Sequence, residues 1–168
     1  MLTKNFYNVI ESLFGRSDLK GTDQSGNTIS VYPKADHVQV SQGSTLGTWA
    51  TGMYNPGIGL GTGTTEPLPT DYNLSGNRLL SNLGVTINKN KTYNDDGCKH
   101  SSVITVTNNN SSDITITEVA WFGYIYQSNT SSFSVAMFDR TLLDEPLTIP
   151  AGGTGQITYT IDFNYKFQ

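Results

Sequence analysis

The last part of the chain alternates apolar and polar side chains without interruption. The apolar residues of one parity are Ile157, Tyr159, Ile161, Phe163, Tyr165 and Phe167, and polar residues occupy every position between them. Successive side chains of a β-strand point to opposite faces, so this pattern predicts a strand over 157–167 with one buried face. At about 3.3 Å per residue the strand would span roughly 35 Å, longer than most globular strands. Such a length favours a structural scaffold.

The amino-acid composition supports the same fold class. Charged residues make up only 14% of the 168 residues, whereas Thr, Ser, Asn and Gly are abundant. This balance is typical of extended strands and turns rather than of solvated helices. We therefore expect an all-β fold, an antiparallel β-sandwich of the jelly-roll type with one short amino-terminal amphipathic helix.

Strand signals recur along the rest of the chain. They lie within 28–40 and at 48–54, 85–88, 103–107, 114–117, 119–126, 133–138 and, as a strand and turn, 146–155. The polar tract 108–113 predicts a hairpin loop between the strands on either side of it. In that hairpin Thr105, Thr107, Thr115 and Thr117 would form a ladder on one exposed face.

The alternation of apolar and polar residues changes phase at Glu118. This charged residue follows Ile116 in phase, whereas Val119 and Trp121 continue the apolar series one position out of step. We therefore predict a β-bulge near Glu118. Residues 119–126 are apolar on both faces, so this strand is expected to be central in the sandwich or covered on one face by another chain.

The amino-terminal residues predict the single helix. It covers 3–14, with Thr3 as the N-cap, Gly15 as the stop signal and four apolar residues at helical spacing, Phe6, Ile10, Leu13 and Phe14. A helix of about a dozen residues is marginal in water, so its apolar face must dock on the domain's own sheet or on a neighbouring subunit. The polar segment 16–27 predicts an extended connector, which divides the chain into a helical arm at 1–27 and a β-sandwich domain at 28–168.

Charge and cysteine content limit the partners and the compartment. The net charge is −4 without a cluster of Lys and Arg, which argues against nucleic acid because phosphate binding needs concentrated positive charge. Cys98 is the only cysteine, so no disulfide can form within the chain and a reducing folding compartment fits. No stretch has the form of a signal peptide or the length of a bilayer span, so we expect cytoplasmic synthesis and no membrane partner.

Two segments resemble ligand sites but are better explained as loops. Residues 59–63 are glycine-rich like a phosphate loop, but such loops end in a helix, whereas Pro67 and Pro69 follow here. Residues 95–100 place carboxylates, a thiol and an imidazole together. A metal site needs three or four converging ligands, and the other histidine, His37, is far away in sequence. We therefore predict no cofactor and no metal.

The sequence evidence for a catalytic site is equally weak. Six carboxylates could pair as in a glycosidase, but their spacing selects no two of them: Glu66, Asp71, Glu118, Asp139, Asp144 and Glu145. The chain also lacks a Gly-x-Ser-x-Gly nucleophile motif. We therefore expect no catalytic residues and no enzyme activity. The alternative is a glycan-binding platform of aromatic residues, although core packing explains Trp121 equally well. Its candidates are Trp49, Tyr54, Trp121, Tyr124 and Tyr126, of which Trp49 and Tyr54 are expected to face solvent.

Four segments resemble, in the same order, motifs of a family of small structural proteins of tailed bacteriophages. They are GIGLGTGTTEPLPTDYNL at 57–74, ITEVAWF at 116–122, DRTLLDEPLTIPAGGT at 139–154 and ITYTI at 157–161. The chain differs from the family pattern at Ala120, where the family has glycine, and the helical arm is not part of the resemblance.

The resemblance implies a virion component that is present in many copies as a capsid decoration, collar or tail-appendage protein. Its partners would be copies of itself and other virion proteins, such as capsid, portal, collar or tail subunits, after folding in the cytoplasm of the host bacterium. A receptor- or glycan-binding module of a phage fibre is the alternative. We predict that subunit contacts involve the helix residues Phe6, Ile10, Leu13 and Phe14 and the loop residues Gly59, Gly61, Gly63 and Leu68.

Overall fold

The structure, a computed structural model, describes residues 1–13, 19–30, 57–77, 79, 82–94, 97–127 and 132–164. The elements in chain order are helix α1 (Lys4–Leu13) and strands β1 (Lys20–Thr22), β2 (Thr28–Ser30), β3 (Gly57–Gly61), β4 (Leu83–Asn94), β5 (Gly97–Asn108), β6 (Ile114–Gln127), β7 (Ser132–Ile149) and β8 (Thr154–Asn164). The strands predicted at 37–40 and 48–54 lie outside the described residues.

The described strands form three sheets, with the strand orders β1-β2, β3-β6-β7 and β4-β5-β8. The pairings β1 with β2, β3 with β6, β4 with β5, and β5 with β8 are antiparallel. The described residues therefore form antiparallel β-sheets and one short helix, as the sequence predicts. No helix in the described part of the chain has the length and apolar character needed to cross a membrane.

The chain divides into two compact units. The first consists of Met1–Ser81 and Ile116–Pro146, and the second of Asn82–Thr115 and Leu147–Gln168. Strands β6 and β7 therefore contribute residues to both units. The predicted boundary between an arm at 1–27 and a domain at 28–168 is a different division and stays a prediction.

The second unit contains the sheet β4-β5-β8, and the terminal alternation has the expected effect there. Ile157, Tyr159 and Ile161 are buried, whereas Thr158 and Thr160 are exposed. Strand β8 is described to Asn164, so the predicted residues 165–167 lie outside the described part of the chain. For 157–161 the period-two pattern thus predicts both the strand and its buried face correctly.

The hairpin predicted around residues 108–113 is wrong. Strand β5 pairs with β4 and β8, whereas β6 belongs to the sheet β3-β6-β7. Accordingly Thr107 meets Thr154 at 3.2 Å between their hydroxyls, and Thr115 meets Thr148 at 3.0 Å. The predicted threonine ladder is therefore divided between different strand pairs.

Asn108 explains why the chain leaves the sheet at this point. Its side chain is fully buried, and its Nδ2 donates to the carbonyl oxygens of Ser112 (2.9 Å), Ile149 (3.0 Å) and Pro150 (3.1 Å). A buried amide with several partners fixes the path of the tract that follows it, because each lost partner would leave a polar group unsatisfied. A polar tract in sequence does not reveal these partners.

The first unit places β6 in the centre of the sheet β3-β6-β7, with apolar residues packed on both faces. One cluster of buried residues consists of Leu19, Ile29, Ala136 and Phe138, with Phe6 and Trp121 packed against it. The other consists of Ala120, Phe122, Val135 and Met137, with Leu74 packed against it. Over residues 119–122 the strand that is apolar on both faces is therefore covered on both by its own chain.

The β3–β6 pairing shows no bulge at Glu118, so the predicted bulge does not explain the change of phase in the apolar pattern. The ladder between β3 and β6 runs from Gly57 opposite Phe122 to Gly61 opposite Glu118 without an extra residue. Ile116, Glu118, Ala120 and Phe122 are all fully buried, so the glutamate keeps the phase of its apolar neighbours. The sequence pattern breaks because a charged side chain occupies a core position.

Candidate functional site

The most unusual site in the described residues is the buried carboxylate of Glu118. Its side chain is 0% exposed and belongs to strand β6, in the first unit. Oε1 accepts hydrogen bonds from the backbone N–H groups of Gly63 at 2.8 Å and Gly76 at 2.9 Å. Oε2 accepts from the backbone N–H of Ser75 at 3.0 Å and from its hydroxyl at 3.2 Å. A buried charge is therefore surrounded by donors from two ends of one loop.

Arg140 of strand β7 completes the site. It is 1% exposed, and its Nε donates to Oε2 of Glu118 at 2.7 Å. Its Nη1 donates to Oδ2 of Asp71 at 2.7 Å, and its Nη2 donates to the Thr65 carbonyl at 2.5 Å and the Ser75 hydroxyl at 2.6 Å. We call Asp71, Glu118 and Arg140 the clamp, and residues 62–77 the clamped loop.

Asp71 links the clamp to the outermost turn of the loop. The same Oδ2 that binds Arg140 accepts the backbone N–H of Leu68 at 2.9 Å, and the N–H of Asp71 donates to the Leu68 carbonyl at 3.0 Å. At the base of the loop, the Thr117 hydroxyl donates to the Gly63 carbonyl at 2.7 Å. The loop is therefore held at its base, along its length and at its outer turn.

The clamp is ionic rather than neutral. Burial alone would raise the pKa of Glu118, but the hydrogen bond from Arg140 and those from the backbone of Ser75, Gly76 and Gly63 outweigh it, so this pKa lies below its ordinary value. Burial would likewise lower the pKa of Arg140, whereas Glu118 and Asp71 raise it above its ordinary value. Both side chains are therefore charged at neutral pH.

Gly59 and Gly61 were predicted to lie in a loop, but they belong to strand β3. Together with Gly63 they allow the chain segments to approach closely. A Cβ on Gly59 would lie 2.8 Å from Cε2 of Phe122, and a Cβ on Gly61 would lie 2.6 Å from Oε1 of Glu118. A Cβ on Gly63 would overlap the far end of the clamped loop. The structure thus gives these three glycines packing roles inside their own chain, and their predicted part in subunit contacts is a separate hypothesis.

No family model, curated protein or solved structure matches this chain. The three members of the clamp come from three of the segments named in the sequence analysis: Asp71 from 57–74, Glu118 from 116–122 and Arg140 from 139–154. Segments that are far apart in sequence thus meet at one ionic site.

Glu118 has no free acceptor position to offer a substrate. A carboxylate has about four lone-pair positions, and Glu118 already accepts five hydrogen bonds. A general base must reach a substrate proton, which a fully buried and saturated carboxylate does not do. Within the described ranges no group of three or more His, Cys, Asp or Glu residues could hold a metal ion. The geometry is that of a structural ion pair.

Sequence reasoning found part of this site. Asp71 and Glu118 are two of the six carboxylates considered for catalysis, and the structure brings both to the same guanidinium group. Arg140 was missed because its partners are distant in sequence. One signal for this site was the position of Glu118 in the alternating pattern of β6. It lies where an apolar residue is expected, which indicates a buried carboxylate and hence a buried cation nearby.

The clamped loop carries apolar side chains on its outer surface. Leu68 is 54% exposed and Tyr72 is 43% exposed, although the loop beneath them is rigidly bonded. The Pro69 carbonyl accepts a hydrogen bond of 2.7 Å from the backbone N–H of Lys4, which places the loop beside the start of helix α1. Tyr7 of that helix is 54% exposed. Large exposed side chains thus lie on both the clamped loop and helix α1, which a backbone hydrogen bond joins.

The other predicted contact residues have different positions. Phe6 packs within its own chain, with ring centroids 6.1 Å from Trp121 and 6.3 Å from Phe138. Ile10 and Leu13 lie in α1, and their side chains fall outside the description, as does Phe14. Of the glycan-platform candidates, Trp49 and Tyr54 also lie outside the described residues. Of the predicted contact residues with a described side chain, Leu68 is the exposed one.

Proposed function

We propose that this chain is a non-enzymatic structural protein of a tailed-bacteriophage particle. In this proposal it is a β-sandwich of the jelly-roll type, present in several copies on the head, collar or tail. The clamped loop and the helical arm contact neighbouring subunits. Its partners are copies of itself and other virion proteins, and it folds in the host cytoplasm before assembly.

The observation that carries the proposal is the use of a buried ionic clamp to fix a surface loop. Burying an ion pair costs desolvation free energy, which the surrounding hydrogen bonds must offset. A loop of 16 residues without strands or helices is uncommon in a compact unit unless it has a function. Here the fixed loop presents Leu68 and Tyr72 to solvent. A preorganised apolar surface binds a partner with less loss of conformational entropy than a mobile one.

The resemblance to phage structural proteins supports the same proposal. The segments that carry it supply all three members of the clamp, so the resemblance falls on residues that work together rather than on scattered positions. The saturated state of Glu118 supports a role in structure over one in catalysis. The net charge of −4 supports protein partners over nucleic acid.

Particle incorporation tests this proposal. A tagged copy would be expressed in the bacterium that carries the gene, and particles from its lysate would be banded on a density gradient. We expect the tagged wild-type chain to sediment with particles and Leu68→Asp to be depleted at least tenfold. Thr70→Asp, at an exposed position of the same loop, is the matched control and should be retained. A wild-type chain found only in the soluble fraction would contradict the proposal.

A further inference from the structure

Residues 1–8, which we call the strap, bind the backbone of strand β7. The N–H of Thr3 donates to the Phe138 carbonyl at 2.8 Å, and the Thr3 hydroxyl donates to the Met137 carbonyl at 2.5 Å. Thr3 is 1% exposed, so these bonds are shielded from water. The hydroxyl predicted as an N-cap is therefore used to bind β7.

Asparagine side chains of the strap bind strand β1. Asn5 forms a closed pair with the backbone of Thr22, donating from Nδ2 to its carbonyl and accepting its N–H at Oδ1, both at 2.7 Å. Asn8 donates from Nδ2 to the Lys20 carbonyl at 2.6 Å. Both asparagines are buried, so the loss of one of these bonds would leave polar groups without a partner. The strap thus joins the sheet β1-β2 to the sheet β3-β6-β7.

Arg140 takes part in both the strap contacts and the clamp. Its backbone N–H donates to the Met1 carbonyl at 3.1 Å. Its side chain donates to Glu118 and to Asp71, both at 2.7 Å. Hydrogen bonds depend strongly on distance and angle, so a shift of the β7 backbone at this residue weakens the clamp.

A second link joins the strap to the outer turn of the clamped loop. The N–H of Lys4 donates to the Pro69 carbonyl at 2.7 Å. The preceding residue of that turn, Leu68, donates its N–H to Oδ2 of Asp71 at 2.9 Å. The turn is therefore held by both the clamp and the strap.

We propose that the strap and the clamped loop open as one cooperative unit, so that release of the strap loosens the loop that carries Leu68 and Tyr72. Proteins open locally in contiguous cooperative units, and the two links make these segments contiguous. Coupling free energy is reciprocal, so anything that holds one segment in place also stabilises the other. The inference goes beyond the proposed function, because it concerns a single folded chain and needs no partner.

Hydrogen exchange of the full chain, followed residue by residue by NMR, tests the coupling. Asn5→Ala removes both bonds to Thr22 and so favours release of the strap. The amides to follow are the three that donate to the clamp carboxylate, those of Gly63, Ser75 and Gly76. We expect them to exchange at least fivefold faster than in wild type. Unchanged exchange at these three amides would overturn the inference.

Asn108→Leu is the matched control, because Asn108 belongs to the second unit and binds carbonyl groups outside the strap and the loop. It destabilises the fold without releasing the strap, so exchange of the same three amides should stay within twofold of wild type. Equal acceleration in both variants would mean that the loop opens only with the whole fold, which would also overturn the inference. Thr3→Val, which loses the hydroxyl bond to Met137, replaces Asn5→Ala if that chain does not fold.

The reverse experiment starts from the clamp. Asp71→Asn removes the negative charge that faces Arg140. The amides of Thr3 and Thr22, which join the strap to β7 and β1, should then exchange at least fivefold faster than in wild type. Wild-type exchange rates at both amides would contradict reciprocal coupling and overturn the inference.

Discussion

In strand β6 the alternating pattern predicts an apolar side chain at position 118, but the residue there is a glutamate. The glutamate is stabilised by Arg140 and by three backbone N–H groups from the two ends of the clamped loop. Most substitutions in such a group should destabilise the protein. Removal of one partner leaves the other polar groups buried without a hydrogen bond or an opposite charge. The residue-scale predictions therefore concern this carboxylate.

Neutralising the carboxylate should strongly destabilise the protein. Glu118→Gln keeps the shape of the side chain but places an NH2 group among donors, and it leaves Arg140 without its buried partner. We expect the free energy of unfolding to fall by about 3 to 5 kcal/mol, the usual cost of breaking a buried ion pair. Urea denaturation at pH 7 measures it. Glu66→Gln, at an exposed position of the same loop, should change stability by less than about 0.5 kcal/mol.

The clamp should also make stability depend on pH in the acid range. The pKa of Glu118 is lowered in the folded state, so the unfolded state binds more protons as the pH falls through the ordinary glutamate range. The stabilisation is therefore complete above the unfolded pKa and is lost as the pH falls through the folded pKa. Urea midpoints between pH 7 and pH 3 should decline more steeply for wild type than for Glu118→Gln. Parallel declines would assign the acid sensitivity to other groups.

At the scale of the element, the clamped loop depends on glycine where the chain segments touch. Gly63→Ala should shift the loop or the glutamate, because the new Cβ would overlap atoms of both. Overpacking of this kind costs about 1 to 3 kcal/mol. Hydrogen exchange of the 62–77 amides should become faster in this variant. Gly84→Ala is the control, because its Cβ would lie 3.4 Å from Cβ of Thr107, an ordinary contact.

Asn108 is the corresponding element-scale test in the second unit. Asn108→Leu retains similar bulk but removes the donor to the carbonyl groups of Ser112, Ile149 and Pro150. Each buried carbonyl that loses its partner costs about 1 to 3 kcal/mol. We expect stability to fall by at least about 2 kcal/mol in thermal and urea unfolding. Asn109→Leu, at an exposed neighbouring position, should have a much smaller effect.

These elements show how far the sequence alone predicts the fold. Helix α1, the strands over 103–107 and 133–138, and the buried face of 157–161 follow from periodicity, because burial imposes the same period on sequence and structure. The hairpin at 108–113 fails because strand pairing depends on the distant partners of Asn108. The clamp is missed for the same reason, since its three members are separated by tens of residues.

At the scale of the whole molecule, the function we propose depends on contacts with other subunits rather than on a reaction. Two specific polar arrangements, the clamp and the paired hydrogen bonds between Asn5 and the backbone of Thr22, bind one part of the chain to another. Both lie in the first unit, beside the exposed residues Tyr7, Leu68 and Tyr72.

The most direct test of this account is the mass of the full chain in solution, measured by light scattering over a wide concentration series. We predict a stable oligomer for wild type, and a shift toward monomer for Leu68→Asp while Thr70→Asp keeps the wild-type mass. Circular dichroism would show that both variants remain folded. A wild-type chain that stays monomeric at every concentration, or a Leu68→Asp oligomer of unchanged mass, would contradict self-assembly through the clamped loop.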